Sequence, residues 1–442
     1  MLSIKFIREN PEEVKVALAK KGVKQTLIDE AVALDKKTRE LQKMVEGYRA
    51  EQNTASEEIQ RTTDNGERNT KINQMQVLKS EIKKIEFELE KTIKELNNVM
   101  IKLPNLPMAD VPIGKDESEN QVIRKWGEIS QFDFIPKDHL ELGEELGVID
   151  MKTASAVSGS RFYYLKGALA LMQLAVTQYV FSILTNPEII KKIAAKIAPD
   201  FSAKPFLPVI PPVMIKPGVY TRMARLDPGQ EEERFYMQKD DLYLIGSAEH
   251  TLGPLHMDEI IDEARMPLRY VGVSTAFRRE AGSYGKDTRG ILRVHQFDKS
   301  EMESFALPEL SVKEQDFLVA IQEYMMQELK LPYQVVMVCT GDMGGPDARQ
   351  IDIETWMPGQ NRYRETHSAD LMTDYQSRRL NTRVKRISGG VEFVHMNDAT
   401  AFSGRPLVAI LENYQQADGS VKIPEVLQKY MGGMTEIKKT RK

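Results

Sequence analysis

Between residues 27 and 103 a row of mostly apolar side chains recurs at alternating steps of four and three. It runs through Leu27, Ala31, Leu34, Thr38, Leu41, Val45, Tyr48, Gln52, Ala55 and Ile59, and resumes at Met75, Leu78, Ile82, Ile85, Leu89, Thr92, Leu96, Val99 and Leu103. This is the a/d seam of a coiled coil, in which each helix buries one narrow stripe against its partner. The polar stretch RTTDNGERNT, residues 61–70, separates the two runs and contains Asn-Gly, so the chain is expected to reverse there. Two helices of similar length joined by a turn form an antiparallel hairpin, each arm about 50 Å long at ~1.5 Å per residue. Lys36, Lys37, Arg39, Lys43, Arg49, Lys71, Lys79, Lys83, Lys84, Lys91 and Lys94 lie outside the seam. They suit either a solvated face or a surface for phosphates.

After the hairpin, LPNLPMADVPIGKDESENQ, residues 103–121, holds three prolines and no periodic segment, which marks a linker. Domains are therefore expected at 1–108, containing the arm, and at 109–442. In the second, residues 168–184 read as a buried helix, and 267–280, 333–341, 349–357 and 406–414 as strand-like or apolar segments. They lack the regular strand-helix alternation of a doubly wound sheet, so the expected class is α+β, a mostly antiparallel sheet with helices packed on it.

Net charge narrows the partners. With 61 Lys and Arg against 65 Asp and Glu, any nucleic-acid contact must rest on local clusters of cations. The single cysteine, Cys339, excludes an intramolecular disulfide or a Cys-based zinc site and suits a buried, inert thiol. No run reaches about 18 uninterrupted apolar residues, and the first residues lack the pattern of a leader peptide. A cytoplasmic protein without membrane contact is expected.

The chain contains no GxxxxGK[ST] loop, no GxGxxG after a strand, no HExxH and no GxSxG. His250 and His256 are spaced off one helical face and suit surface or supporting positions. Residues 277–301, FRREAGSYGKDTRGILRVHQFDKSE, crowd arginines, lysines and carboxylates around three glycines. Charge content alone fits either a salt-bridged hairpin or a polyanion site whose arginines are oriented by carboxylates.

The detail of that stretch resembles the second signature motif of class II aminoacyl-tRNA synthetases, in the form FRxEAGxxGxDTRGxxRxHQFxKxE found in the seryl-tRNA synthetase family. Four further regions agree. They are the hairpin with its linker, LIGSAEHTL at 244–252, IDIETWMPGQNRYRETHSADLMTDYQSRRLNTR at 351–383, and GRPLVAILENYQQADGSVKIPEVLQKYMGG at 404–433. The resemblance implies a class II catalytic domain on an antiparallel sheet, an N-terminal coiled-coil arm that binds serine tRNA, a homodimer, and activation of L-serine with ATP and Mg²⁺.

It also implies roles for residues. Arg278 and Arg405 would be catalytic. Ser247, Ala248, Glu249, Glu301 and Thr400 would hold serine. Arg278, Arg279, Glu280, Arg293, Val294, Phe297, Glu365, Thr366, His367, Ser368 and Arg405 would line the ATP site, with Glu365 and Ser368 as Mg²⁺ ligands. Three positions depart from the family pattern. Ser247 replaces the usual Thr, ETHSADLMTDYQSRR replaces the commoner EISSCS form, and Ala399 stands two places after Asn397 where a small hydroxyl residue is expected. Thr400 supplies that hydroxyl only if the loop is read with a one-residue shift. Two other functions remain compatible with these residues: loading an amino acid onto a different carrier, or RNA binding without catalysis.

Overall fold

A computed structural model describes residues 1–227, 229–281 and 289–439. The chain separates into two compact units, Met1–Leu106 and Pro107–Lys442.

In the first unit, α1 (Ile4–Glu9) and α2 (Pro11–Ala19) precede the hairpin of α3 (Gln25–Arg61) and α4 (Asn65–Met100). The heptad row is the shielded one: Ala31, Leu41, Val45, Ile82, Thr92, Leu96 and Val99 are buried. The reversal is tighter than the polar stretch 61–70 suggested. The Asp64 carboxylate accepts the Glu67 N–H at 2.8 Å and caps α4 there, so Asn-Gly falls inside its first turn. The two short helices α1 and α2 pack Ile7, Val14 and Leu18 inward.

The second unit is built on an eight-stranded sheet. Its strands are β1 (Gln121–Trp126), β2 (Leu207–Val209), β3 (Leu268–Phe277), β4 (Gln296–Ala306), β5 (Tyr333–Met337), β6 (Arg349–Met357), β7 (Arg362–Thr373) and β8 (His395–Phe402). They lie in the order β1-β5-β6-β7-β8-β4-β3-β2. Every neighbouring pair is antiparallel except β2 with β3.

Helix α5 (Ala168–Leu184) buries Leu169, Met172, Val176, Val180 and Ile183 in the main core while Leu171 and Leu174 remain exposed. Helix α6 (Ser311–Glu328) covers one sheet face with Phe317, Leu318, Ile321 and Met325. Two buried glutamines tie it to the strands: Gln315 donates to the Arg349 and Ala369 carbonyls, and Gln322 to those of Ser368 and Thr400, at 2.8–2.9 Å. Arg269 on β3 is fully buried with Glu314 of α6, Nη2 donating to Oε2 at 2.9 Å.

Residues 406–414 correct the strand-like expectation, because 404–413 form helix α7 (Gly404–Asn413). Ser403 caps it, and Leu407, Val408, Ile410 and Leu411 recur at helical rather than alternate spacing on its buried side. A short apolar run rich in branched residues does not distinguish the two periods by itself.

Candidate active site

The sheet face opposite α6 carries a cavity of about 220 Å³. It is lined by Arg225, Glu249, Arg278, Glu280, Ile291, Leu292, Arg293, Val294, Phe297, Lys299, Glu365, Thr366, Ser368, Asp370, Thr400, Ser403, Gly404 and Arg405. Residues 282–288, the middle of the arginine-rich stretch, lie outside the described residues.

Two β-bulges decide which side chains enter it. In a regular strand residues three apart face opposite ways. Between β6 and β7, Ile353 pairs with His367 and Glu354 with Glu365, so Thr366 is the extra residue. The resulting kink brings Glu365 and Ser368 to one face. Between β4 and β8, Ser300 pairs with Phe402 and Glu301 with Thr400, leaving Ala401 extra. Thr400 therefore lines the cavity, whereas Ala399 packs in the apolar core with Met302 and Ala369.

At the mouth the side chains are half-exposed and mostly basic. Arg278 donates from Nε to the Gly246 carbonyl at 3.0 Å and sits 5.4 Å from the Phe297 ring centre. Arg293 pairs with Glu280 at 3.3 Å, and Glu280 itself adopts φ +54°, in the left-handed region. Arg405, at the start of α7, reaches Glu365 at 2.9 Å. Enclosure favours the neutral acid, yet Arg405 holds the Glu365 carboxyl below its usual range.

Glu249, Lys299 and Thr400 line the inner end, and behind them lie Ser247 and Glu301, both buried and neither lining the cavity. Ser247 Oγ lies 3.0 Å from Glu301 Oε2 and 3.4 Å from Glu249 Oε2, and accepts from Lys299 Nζ at 3.1 Å. Lys299 also pairs with Glu301. Burial pushes the Glu301 carboxyl up, against the pull of Lys299. Burial would do the same to Glu249, but Arg225, aided by His250 and Lys299, holds it well below the usual carboxylate range.

Several sequence-selected residues stand back from the cavity. Ala248 is fully buried at the start of the short helix Glu249–Leu252. Arg279 points its guanidinium over the Phe235 ring, 5.5 Å away. His367 faces the interior against Phe402, its Nδ1 2.9 Å from Thr366 Oγ1, and burial drives its pKa down to about 3. His250 and His256 are both buried, in the supporting rather than the surface positions that their spacing left open. His250 contacts Glu249, and His256 sits between Glu259 and the Tyr270 hydroxyl. Sequence reading missed Arg225, Lys299 and Asp370. Lys299 lay inside the quoted motif, and only its position beside Ser247 and Glu301 singles it out.

The oxygen donors near Glu365 suit a hard divalent cation. Ser368 Oγ donates to Asp370 at 2.9 Å and accepts from Gln350 at 3.2 Å. Burial, reinforced by Glu365, pushes the Asp352 carboxyl well above its usual range. Glu365 and Ser368 both line the cavity and offer only oxygen, the donor chemistry that fits Mg²⁺.

Residues 1–107 match the seryl-tRNA synthetase N-terminal domain, and residues 234–414 the tRNA synthetase class II core domain (G, H, P, S and T). The chain is 41% identical to the serine-tRNA ligase of Dictyoglomus turgidum over 435 residues, covering 98% of both. It superposes on a seryl-tRNA synthetase from Pyrococcus horikoshii complexed with ATP with a TM-score of 0.89 at 38% identity, covering all of each chain. It also superposes on a cytoplasmic serine-tRNA ligase of Naegleria fowleri in complex with AMP, with a TM-score of 0.84 at 30% identity, covering 100% of this chain and 99% of the other.

Proposed function

Because the chain belongs to the seryl-tRNA synthetase family and is an ATP-dependent ligase of serine and tRNA, we propose that its two-ended cavity is where serine is activated. The observation that carries this placement is the meeting of a half-exposed arginine set with a buried carboxylate set in one cavity.

The serine carboxylate is itself the nucleophile, so attack on the α-phosphorus of ATP needs orientation and charge neutralisation rather than a general base. Arg278, between the two ends, bridges the serine carboxylate and the α-phosphate. The bond from α-phosphorus to the bridging oxygen breaks, pyrophosphate leaves, and seryl-adenylate remains. Arg293 meets the outer phosphates. The adenine lies between Phe297 and Arg405, with Glu280 and the backbone at Val294 along its edge. Mg²⁺ held by Glu365 and Ser368 would neutralise phosphate charge.

Glu249 and Ser247 take the ammonium, and Glu301 with Thr400 the hydroxyl. A buried site made for a hydroxyl leaves its own polar groups unpaired when alanine enters, which can cost roughly 10⁴-fold. The tRNA terminus then attacks the acyl carbon, and AMP leaves.

The arm is the tRNA contact. Arg49 and Lys37 are engaged by Glu86 and Glu88, and Lys84 by Glu81. Lys79 and Lys83, which share a groove with Arg49, carry no ion pair among the described residues. The enzyme acts as a homodimer, as membership of the seryl-tRNA synthetase family implies. No single described helix is long and apolar enough to cross a membrane, and the cytoplasm is its proposed location.

The test is pyrophosphate exchange into ATP without tRNA. Serine-dependent exchange supports the placement. Exchange that is absent, or stronger with another amino acid, overturns it.

A further inference from the structure

Arg225 belongs to none of the motifs that carry the family resemblance, yet it sits at the inner end of the cavity. It follows the helix Pro217–Arg222, where Ala224 adopts φ +57° and turns the chain. Its side chain is 15% exposed. Nε forms an ion pair with Glu249 Oε1 at 2.9 Å, and Nη2 donates to Asp398 Oδ2 at 3.2 Å. Asp398 is on β8, two residues before Thr400 and on the same face. The guanidinium thus straps the start of the Glu249 helix to the strand that supplies Thr400.

A second contact closes the same carboxylate. His250 Nδ1 accepts from the Gly246 N–H at 3.0 Å and the Tyr220 hydroxyl at 2.8 Å, which fixes the remaining ring hydrogen on Nε2, 3.4 Å from Glu249 Oε1. Oε1 is therefore occupied by Arg225 and His250, and Oε2 is the oxygen turned toward Ser247.

We infer that Arg225 determines amino-acid specificity: by strapping Glu249 to Asp398, two residues from Thr400, it fixes the reach of the ammonium acceptor and closes the cavity beside Glu249 and Thr400. Resting on the placement of serine above, this makes the depth of the pocket a property of one ion-paired guanidinium. A side chain longer or more branched than serine's meets a buried charge that has no other place to go.

The experiment compares R225Q, R225K, D398N and E249Q with the unaltered full-length chain in pyrophosphate exchange, using serine and threonine. R225Q is expected to raise the serine KM about tenfold and to lower the serine-to-threonine ratio of kcat/KM by about tenfold, with the ATP KM changed less than roughly twofold. R225K, which keeps the charge but loses the fork, should recover part of the serine KM and little of the discrimination. A folded R225Q with serine KM and selectivity ratio unchanged overturns the proposal. Should R225Q fail to fold, D398N decides: it removes one end of the strap at nearly constant shape, and an unaltered ratio overturns the proposal equally. If E249Q also leaves the serine KM unchanged, the placement of serine has failed rather than the strap.

Discussion

The mouth and the inner end of the cavity solve opposite electrostatic problems. At the mouth Arg293, Arg405 and Glu365 keep 31%, 29% and 49% of their side chains exposed, so water shares with their ion-pair partners in stabilising the charges. At the inner end Glu249, Glu301 and Asp398 keep 9%, 1% and 2%. There the charges depend on Arg225 and Lys299, with His250 beside Glu249. Burial pushes the Glu301 and Asp398 carboxyls up while Glu249 stays low, and under the proposed placement the serine ammonium meets Glu249. The difference shows how one cavity can orient a zwitterion: its carboxylate toward guanidinium groups, its ammonium toward acids.

The sharpest way to break this comparison is at the mouth. On the proposed placement of Arg278 at the α-phosphate, R278Q should lower the rate of adenylate formation by about 10²–10³-fold, seen in single-turnover assays. At the inner end, E249Q should instead raise the serine KM by about 10–100-fold while the ATP KM barely moves, as expected when one charged hydrogen-bond partner is lost. If both variants affect the same kinetic constant, the two ends are not distinct.

The arm provides a control remote in sequence. K79E/K83E should weaken tRNA binding about tenfold and flatten its dependence on salt, measured by filter binding, while serine-dependent exchange is unchanged. Charge reversal that leaves tRNA affinity intact removes those lysines from the interface.

The smallest expected effect lies beneath the acids. Among the described residues neither Glu303 carboxylate oxygen has a hydrogen-bond partner, both are buried, and Glu303 lies opposite Asp398 on the sheet. Burial, with repulsion from Asp398, Glu249 and Glu301, pushes its carboxyl well above the usual range. The unfolded chain releases that proton near pH 4.5 and the folded chain only at higher pH. Stability from Glu303 is thus present at low pH and lost as pH rises. E303Q, which does not titrate, should gain in melting temperature relative to the unaltered chain from pH 5 to pH 8. A pH-independent difference would contradict this.

The arm was nearly all legible because a single seam decides its packing, and the heptads from Leu27 to Leu103 contain that seam. Helix α5 and strand β6 were legible for similar reasons, each being one periodic or apolar run. The sites were less so. Glu365, Ser368 and Thr400 reach the cavity because two strands each accommodate an extra residue, and a bulge leaves no mark in side-chain periodicity. The uncertainty between Ala399 and Thr400 was such a register question. Arg225 was invisible because it stands in a loop outside any motif, and its role comes from three segments that converge only in the fold.

The most direct measurement is a crystal structure of the chain bound to a non-hydrolysable seryl-adenylate mimic. The account requires the phosphate surrogate at Arg278, the ammonium at Glu249 Oε2, and the hydroxyl between Glu301 and Thr400. A ligand bound with its ammonium at the arginine-rich mouth, or with its hydroxyl away from Glu301 and Thr400, would contradict it.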